Sequence, residues 1–272
     1  MDLVYLNGSY LPPEEALVPV TDRGFAYGDG VFTTIKVLGS NPLFLDRHLA
    51  RLGRDADAIN LPAPLDEVES AIWGLVGKLG LGDGVLKATL TRGTGGRGPS
   101  PKNAAGPPTV VVSASSLPAP RPPLAAISVP DERGSLASHK TLNYLPNVLT
   151  LAQAEAAGCE EAIFSRDGLL LEGTVSNLIG AVGNRLITPP LSEGVLGGVA
   201  REVLLEGGVA TEGPLPLETD GPLYCVNAVR GVEPVAALDG RTLRRKPETE
   251  DLIKKALGGV GVVPGREIEG IS

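Results

Sequence analysis

Alternating apolar and polar residues predict strands along the chain, and apolar residues at helical spacing predict helices between them. In the first half, strands are predicted over residues 3–6, 9–11, 31–38, 43–45, 85–91 and 109–113. Asn7-Gly8 joins the first two strands as a type I′ turn. One helix is predicted to begin at Asp46, acting as its N-cap, and a second to cover residues 65–79.

In the second half, strands are predicted over residues 125–129, 161–165, 177–182 and 223–227, and helices over 144–157, 199–206 and 248–257. The segment 117–123 (LPAPRPP) can form neither a helix nor a central strand, because four of its residues are proline. The sequence therefore predicts two domains, residues 1–116 and 125–272, joined by a semi-rigid connector at 117–124. The tail after Gly258, rich in glycine, is predicted to be loose.

Composition and charge argue against several classes of function. The chain has 272 residues, 42% hydrophobic and 21% charged, as in an ordinary globular protein. Its net charge of −8 argues against nucleic acid as a partner, but arginines in a cleft can still receive a small anionic substrate. No apolar stretch is long enough to span a membrane and the N-terminus has no basic region, so a cytoplasmic protein is expected. The two cysteines and two histidines form no metal-binding pattern.

Lys140 and Glu172 are candidates for a shared chemistry. Lys140 stands just before a predicted helix, in a chain whose basic residues are mostly arginine. Most lysines are solvated surface charges, whereas one that loses its proton easily can condense with the aldehyde of a cofactor such as pyridoxal 5′-phosphate (PLP). Glu172 follows the apolar run 169–171, which predicts a buried strand end. A buried carboxylate needs a partner, and either a protonated pyridine nitrogen or an arginine would serve.

Two further segments are suited to a phosphate. Arg51 lies one helical turn after His48 and is either a side chain that snorkels to solvent or a bidentate phosphate ligand. Gly197-Gly198 opens the predicted helix that begins at Val199 and is either a plain capping turn or a source of free backbone N–H groups.

The loop from Gly93 to Gly98 matches G-x-G-x-x-G, but Pro99-Ser100-Pro101 follows it instead of a helix. A dinucleotide-binding loop is therefore excluded. Arg92 flanks the loop and Arg97 lies within it, so it is either a solvated surface loop or one that receives an anion at the mouth of a site.

Five ordered motifs resemble those of the class IV aminotransferases, the fold-type IV PLP enzymes. They are the run from Asp22 to Phe32 (DRGFAYGDGVF), His48-x-x-Arg51-Leu52, Lys140-x-x-Asn143, Glu172-Gly173-x-x-Ser176-Asn177 and Gly197-Gly198-Val199-Ala200-Arg201. The resemblance extends to about Val235. It implies an α/β protein of two domains, a smaller N-terminal α/β domain and a C-terminal PLP-binding domain with a barrel-like sheet, with PLP between them and a homodimer completing the site.

By motif match, Lys140 is expected to bond to the cofactor and carry protons, and Glu172 to face its ring nitrogen. Arg51 and the backbone amides of Val199 and Ala200 are expected to hold its phosphate. Aminotransferases of the family often have threonine where Ala200 stands, so only the backbone contact carries over. An inactive relative that serves as a binding protein is disfavoured, because Lys140, Glu172 and Arg51 are all present.

Within the family, residues 86–98, 224–228 and 233–235 resemble aminodeoxychorismate lyases, as does Thr33-Thr34 after Phe32. This resemblance predicts cleavage of 4-amino-4-deoxychorismate to 4-aminobenzoate and pyruvate, with Arg92 or Arg97 receiving a substrate carboxylate and Thr34 and Asn227 orienting the leaving group. The alternative is transamination of D- or branched-chain amino acids, which uses the same cofactor and lysine.

Overall fold

The computed structural model describes residues 2–258, and its N-terminal half is an antiparallel sheet covered by two helices. The sheet has the strand order β2-β1-β6-β5-β3-β4. Its strands are β1 (Val4–Leu6), β2 (Ser9–Leu11), β3 (Gly30–Leu38), β4 (Asn41–Pro42), β5 (Gly84–Thr91) and β6 (Thr109–Ser115). The helices of this half are α1 (Arg23–Tyr27), α2 (Leu45–Ala58) and α3 (Leu65–Leu79).

Strand β3 separates the N-terminal core from the site. Val31, Ile35 and Val37 are buried in the cluster to which α2 and α3 also contribute. Because side chains alternate between the two faces of a strand, Phe32 and Thr34 point to the other face, where both line a cavity. The period of the strand thus places one row of residues in the core and the next in the site.

Up to residue 258, the C-terminal half contains nine strands and three α-helices. The strands are β7 (Leu124–Pro130), β8 (Glu161–Arg166), β9 (Leu169–Gly173), β10 (Asn177–Val182), β11 (Arg185–Thr188), β12 (Thr211–Glu212), β13 (Leu223–Asn227), β14 (Gly231–Leu238) and β15 (Arg241–Thr242). The helices are α4 (Leu145–Ala156), α5 (Val199–Glu206) and α6 (Pro247–Gly258).

Six of these strands close into a barrel. They run in the order β10-β13-β14-β7-β8-β9, and the pairing of Asn177 in β10 with Glu172 in β9 closes the ring. The pairs β14–β7 and β7–β8 are parallel and the others antiparallel. Apolar side chains from all six strands share one buried cluster, which fills the barrel. The predicted fold class, an α/β protein with a barrel-like C-terminal sheet, is confirmed.

The start of α2 differs from the prediction. Asp46 is not the N-cap, because the helix begins at Leu45 and Phe44 occupies the cap position. Phe44 has a φ of 55°, and this left-handed residue turns the chain from β4 directly into the helix. The strand predicted over 43–45 is therefore wrong, and Asp46 instead places its charge in the first turn, where the helix dipole favours it.

Helix α1 and strands β11 and β14 were absent from the prediction. Helix α1 has only five residues, too few for a periodic signal, and is capped by the Asp22 side chain. Strand β14 contains Pro234 and an irregularity in its pairing with β7 between Val235 and Ala237. Proline inside a strand is unusual, so the sequence pattern there does not favour one.

The proline-rich connector has no regular structure between Ser115, the end of β6, and Leu124, the start of β7. Each of the two sheets is built entirely from one side of it. The division into domains at residues 117–124 stays a prediction. The tail predicted to be loose lies outside the described residues.

Candidate active site

A cavity of about 530 Å³ opens between the first sheet and the barrel, and most of the predicted site residues line it. Strand β3 contributes Thr34, and helix α2 contributes Arg51. The other predicted residues in the lining are Lys140, Glu172, Val199, Ala200 and Asn227. Residues separated by up to 193 positions in the chain therefore share one space of the size that small ligands occupy.

Backbone pairing fixes the position of Lys140. Its carbonyl accepts from the Phe32 N–H at 3.0 Å, and the Leu142 N–H donates to the Gly30 carbonyl at 2.9 Å. Thr141 forms an isolated bridge with Val31. The segment thus lies along the edge of β3 that the short β4 leaves free, because β4 pairs only with residues 37 and 38. Lys140 itself belongs to no strand, but its backbone is hydrogen-bonded to the edge of β3.

The Lys140 amine lies among aromatic rings. Its Nζ donates to the Tyr144 hydroxyl at 3.1 Å and is 4.5 Å from the centre of the Phe32 ring. The side chain keeps some accessible area because it lines the cavity, but the amine itself is enclosed. This burial, helped by the charge of Arg51, lowers the pKa of Lys140 from 10.5 to about 7. Much of the amine is therefore unprotonated near neutral pH.

The position of Lys140 just before a predicted helix suggests that the positive end of the helix dipole also lowers its pKa. The structure corrects this cause. Helix α4 begins at Leu145, five residues beyond Lys140, and the second cause after burial is Arg51.

Glu172 accepts three hydrogen bonds at the end of β9. Its Oε1 accepts from Arg133 Nη1 at 2.6 Å, and its Oε2 accepts from the Leu196 N–H at 2.9 Å and from Asn177 Nδ2 at 3.2 Å. Burial raises the pKa of Glu172 above its usual value, although Arg133 and the Leu196 N–H favour the charged form. A carboxylate has about four acceptor positions, so one remains for a further donor in the cavity.

Arg133 contacts Glu172 in the site, and the sequence does not predict this role. It holds Glu172, pairs with Asp131 at 2.8 Å and lies 3.8 Å from the centre of the Phe164 ring. Of the two partners that the sequence left open for Glu172, the structure supplies the arginine. Tyr144 was also missed. Its only signal is its place four residues after Lys140.

Arg51 is buried, so the interpretation as a side chain that snorkels to solvent is wrong. Its side chain is 6% exposed, and Nη2 donates to Thr33 Oγ1 at 2.9 Å. Burial lowers the pKa of Arg51 below its usual value. The Arg51 Nε has no hydrogen-bond partner within residues 2–258. Arg51 lines the cavity, so an anion placed there would pair with its buried guanidinium.

Helix α5 begins at the cavity wall. Gly198 is its N-cap, and Val199 and Ala200 form its first turn. A Cβ atom on Gly198 would lie 2.0 Å from Asn177 Oδ1, so only glycine fits here. The first N–H groups of a helix are free to bind an anion. Together with Arg51, this helix end provides a donor set that fits the phosphate of PLP, and Lys140 and Glu172 fit its aldehyde and ring nitrogen.

Asn227 lines the cavity, but its carbonyl oxygen is engaged. Its Oδ1 accepts from the N–H groups of Val229 and Arg230 at 3.0 and 2.8 Å. Asn227 thereby shapes the turn between β13 and β14, and only its amide nitrogen remains for a ligand. Thr34 also lines the cavity.

Neither predicted substrate arginine reaches the cavity of its own chain. Arg92 pairs with Asp29 at 2.8 Å and donates to the carbonyls of Ile59 and Asn60, both at 2.7 Å. These contacts occupy all three of its nitrogens, which corrects the expectation that Arg92 receives a carboxylate. Arg97 is exposed on its loop, outside the cavity lining. Contact with a substrate in a partner subunit stays a prediction for Arg97.

Within residues 2–258, no group of three or more His, Cys, Asp or Glu side chains is arranged to hold a metal ion. In the same part of the chain, no helix combines the length and apolar character that a membrane span requires.

Known proteins resemble this chain over most of its length. Residues 30–238 match the profile of the family described as Amino-transferase class IV. A protein of Methanocaldococcus jannaschii, provisionally named a branched-chain-amino-acid aminotransferase, is 32% identical over 273 residues, with 93% of each chain covered. The D-alanine aminotransferase of Bacillus licheniformis is 31% identical over 256 residues, covering 88% of this chain and 89% of that protein.

Solved structures agree with these relatives. A hypothetical aminotransferase from Mycobacterium tuberculosis, in a PLP-bound form, has a TM-score of 0.84 at 28% identity, covering 94% of this chain and 99% of that one. A Legionella pneumophila chain provisionally described as a 4-amino-4-deoxychorismate lyase has a TM-score of 0.81 at 25% identity, covering 90% and 95%. The profile match spans most of the chain. The chain therefore belongs to the class IV aminotransferase family.

Proposed function

We propose that this chain is a PLP-dependent aminotransferase that acts on D- or branched-chain amino acids. The observation that carries the proposal is a single cavity that contains a buried amine with a pKa of about 7, a buried carboxylate and a buried arginine. PLP is the cofactor of the M. tuberculosis relative. The relatives named for their substrates act on branched-chain amino acids or D-alanine, which supports these two substrate classes.

When bound, PLP supplies an aldehyde that bonds to amines and a ring that takes up the electron pair released at the adjacent carbon. Lys140 is suited to bond with that aldehyde, because much of its amine is unprotonated near neutral pH. With a substrate amine in its place on the cofactor, the freed Lys140 Nζ would be positioned to take the proton from the substrate carbon and to hold it for return. The Tyr144 hydroxyl, which accepts from Nζ, would orient the amine for this role.

Glu172 would hold a proton at the ring nitrogen through its remaining acceptor position. Its raised pKa makes it a stronger proton acceptor than an exposed glutamate. Arg133 keeps the carboxylate in place from the other side at 2.6 Å. Arg51 and the first turn of α5 would hold the phosphate, with Val199 and Ala200 contributing backbone N–H groups.

The proposal includes a homodimer. Leu145, Val148 and Leu149 form an apolar stripe on the exposed face of α4, at the mouth of the cavity. Exposed apolar patches of this kind favour contact with a second subunit. In such a dimer, the exposed Arg97 is proposed to reach the carboxylate of a small anionic substrate bound in the partner subunit.

The test is an amine-transfer assay. PLP-loaded protein is incubated with D-alanine or with L-leucine, each with 2-oxoglutarate, because a form of the M. tuberculosis relative is described as bound to α-ketoglutarate and PMP. Formation of glutamate with either donor is expected. The Lys140→Ala variant should form none and should lack the visible absorption band of the bound cofactor. Absence of amine transfer in the wild type with both donor classes would reject the proposal.

Aminodeoxychorismate lyase activity is the second candidate, and its rank is reversed relative to the sequence-based prediction. Thr34 and Asn227, two residues of the lyase-like pattern, line the cavity, and the L. pneumophila chain carries that description. The relatives named for their substrates favour transamination. Release of pyruvate and 4-aminobenzoate from aminodeoxychorismate, without any 2-oxo acid, would restore the lyase as the main activity.

A further inference from the structure

His48 is a buried histidine of the cavity to which the motif comparison assigned no role. It lies on α2 one turn before Arg51, is 1% exposed and lines the cavity. Its Nδ1 is 2.8 Å from Thr33 Oγ1. Its Nε2 has no hydrogen-bond partner among the described residues. A buried ring nitrogen without a hydrogen-bond partner destabilises the fold unless a ligand supplies the missing hydrogen bond.

The hydrogen bonds of Thr33 assign the tautomer of His48. Arg51 Nη2 can only donate, so Thr33 Oγ1 accepts from it at 2.9 Å. Among the described residues, His48 Nδ1 is the one group that can accept the hydroxyl proton of Thr33. The arrangement that uses this donor makes Nδ1 the acceptor and, in a neutral ring, leaves the single N–H at Nε2. Thr33 thus sets the orientation of both Arg51 and His48.

The surroundings keep the ring neutral. Burial lowers the pKa of His48 well below its usual value, and the positive charges of Arg51 and Lys140 lower it further. Among the described residues, the one hydrogen-bond partner of the ring is a hydroxyl. His48 therefore presents a neutral donor into a cavity whose neighbouring donors, on Arg51 and at the start of α5, suit an anion.

We propose that the Nε2–H of His48 is a ligand of the cofactor phosphate, beside Arg51. This inference rests on the proposed function, because the phosphate is that of PLP. A neutral donor adds a hydrogen bond to the phosphate without a further positive charge next to Lys140, which must lose its proton easily. Thr33 is the positioning residue for both phosphate ligands.

The experiment compares two aldehydes that differ only in the phosphate. Equilibrium binding of PLP and of pyridoxal is measured by absorbance for the wild type, His48→Leu and His48→Gln, without any amino-acid substrate. His48→Leu should lose about tenfold or more in affinity for PLP, as for a lost hydrogen bond to a charged group. Its affinity for pyridoxal should stay unchanged, which also shows that the variant is folded. His48→Gln, whose amide nitrogen can reach the place of Nε2, should retain most of the PLP affinity.

Equal affinity of His48→Leu and the wild type for PLP would overturn the inference and leave the proposed function intact. A loss that is equally large for pyridoxal would also overturn it, because the phosphate would then not be the partner. If the wild type failed to bind PLP at all, the proposed function itself would fall with it.

A spectroscopic readout tests the tautomer without relying on a variant that could misfold. The chain has only two histidines, so ¹⁵N spectra of the wild type and of His139→Gln identify the His48 ring. The inference requires a protonated Nε2 and an unprotonated Nδ1, and a shift of the Nε2 signal when PLP is added but a smaller one with pyridoxal. The opposite tautomer in the PLP-bound protein would overturn it.

Discussion

Asn177 and Glu172 are joined both by their backbones and by their side chains. Their pairing closes the barrel between β10 and β9, and Asn177 Nδ2 donates to Glu172 Oε2 at 3.2 Å. The same Nδ2 donates to the Leu196 carbonyl at 2.8 Å, just before helix α5. The Asn177 side chain therefore contacts both the carboxylate proposed to face the ring nitrogen and the segment that leads to the phosphate site, at the point where the barrel closes.

Asn177→Asp should destabilise the protein more as the pH rises. The new carboxylate would lie next to Glu172 in a buried place, and this raises the pKa of the pair in the folded state. The folded protein then binds more protons than the unfolded chain, so the free energy of unfolding falls as the carboxyls ionise. Urea unfolding at pH 5 and pH 8 measures the effect. Asn177→Ala, which loses the donor without adding charge, should show a deficit of about 1–3 kcal/mol that does not change with pH. Equal pH profiles for the two variants would contradict the argument.

Lys140→Met should stabilise the cofactor-free protein at low pH. Between pH 7 and 10.5 the folded state binds fewer protons at Lys140 than the unfolded chain does, so the stability of the wild type rises with pH in this window. Below pH 7 the full penalty for the buried charge is present, and its removal should add on the order of 1–4 kcal/mol to the free energy of unfolding. Urea unfolding at pH 6, 8 and 10 should show this gain shrinking.

The control for Lys140 is Lys87→Met. The Nζ of Lys87 lies 4.8 Å from the centre of the same Phe32 ring, but the residue is exposed. Its replacement should give no gain at pH 6. A gain of similar size in both variants would mean that the Lys140 amine is not the penalised group.

Strong periodicity and glycine boundaries explain which elements the sequence predicts well. Helix α5 and strands β10 and β13 have the bounds that the sequence predicts, because each is a short apolar run with clear ends. Strand β14 and the start of α2 could not be predicted in this way. Pro234 lies inside a strand, and the positive φ of Phe44 replaces an ordinary N-cap. In both places tertiary packing overrides the local preference.

The site residues also divide into those that the sequence predicts and those that it does not. Lys140, Glu172 and Arg51 are found from the sequence because each belongs to a recognisable motif. The partnership of Arg133 with Glu172 spans 39 positions and that of Arg92 with Asp29 spans 63. No local pattern reports such pairs, since they depend on how segments far apart in the chain pack within each half of the protein. For the same reason, the engagement of Arg92 could not be foreseen.

Leu149→Glu should separate the proposed homodimer into monomers. Leu149 and Val148 are each 56% exposed on α4, where a buried charge would be costly if a partner covers them. Light scattering after size exclusion should give twice the chain mass for the wild type and a single chain mass for the variant. Leu252→Glu, at a position 49% exposed on α6, is the control and should remain dimeric. A monomeric wild type, or an unchanged Leu149→Glu dimer, would contradict the proposal.

Arg47→Met should weaken PLP binding while leaving the fold almost unchanged. Arg47 joins α2 to α5, because it pairs with Glu202 at 2.9 Å and with Glu206 at 2.6 Å. These side chains are partly exposed, so solvent screens the pairs and they contribute little to stability. They nevertheless tie together the two helices that carry Arg51 and the first turn at Val199, the two sides of the phosphate site.

Without these ion pairs, α2 and α5 can move apart before the cofactor binds. Part of the binding free energy is then spent on ordering the two helices, which lowers the affinity for PLP. We expect PLP affinity to fall several-fold with a melting temperature within about 2 °C of the wild type. Salt should weaken PLP binding more in the wild type than in Arg47→Met, because only the wild type has the ion pairs to screen. Arg54→Met, an exposed position on the same helix, removes one positive charge without breaking the connection between helices. If Arg54→Met lowers the affinity as much as Arg47→Met, the effect is one of net charge and the link between α2 and α5 has no role in holding the phosphate.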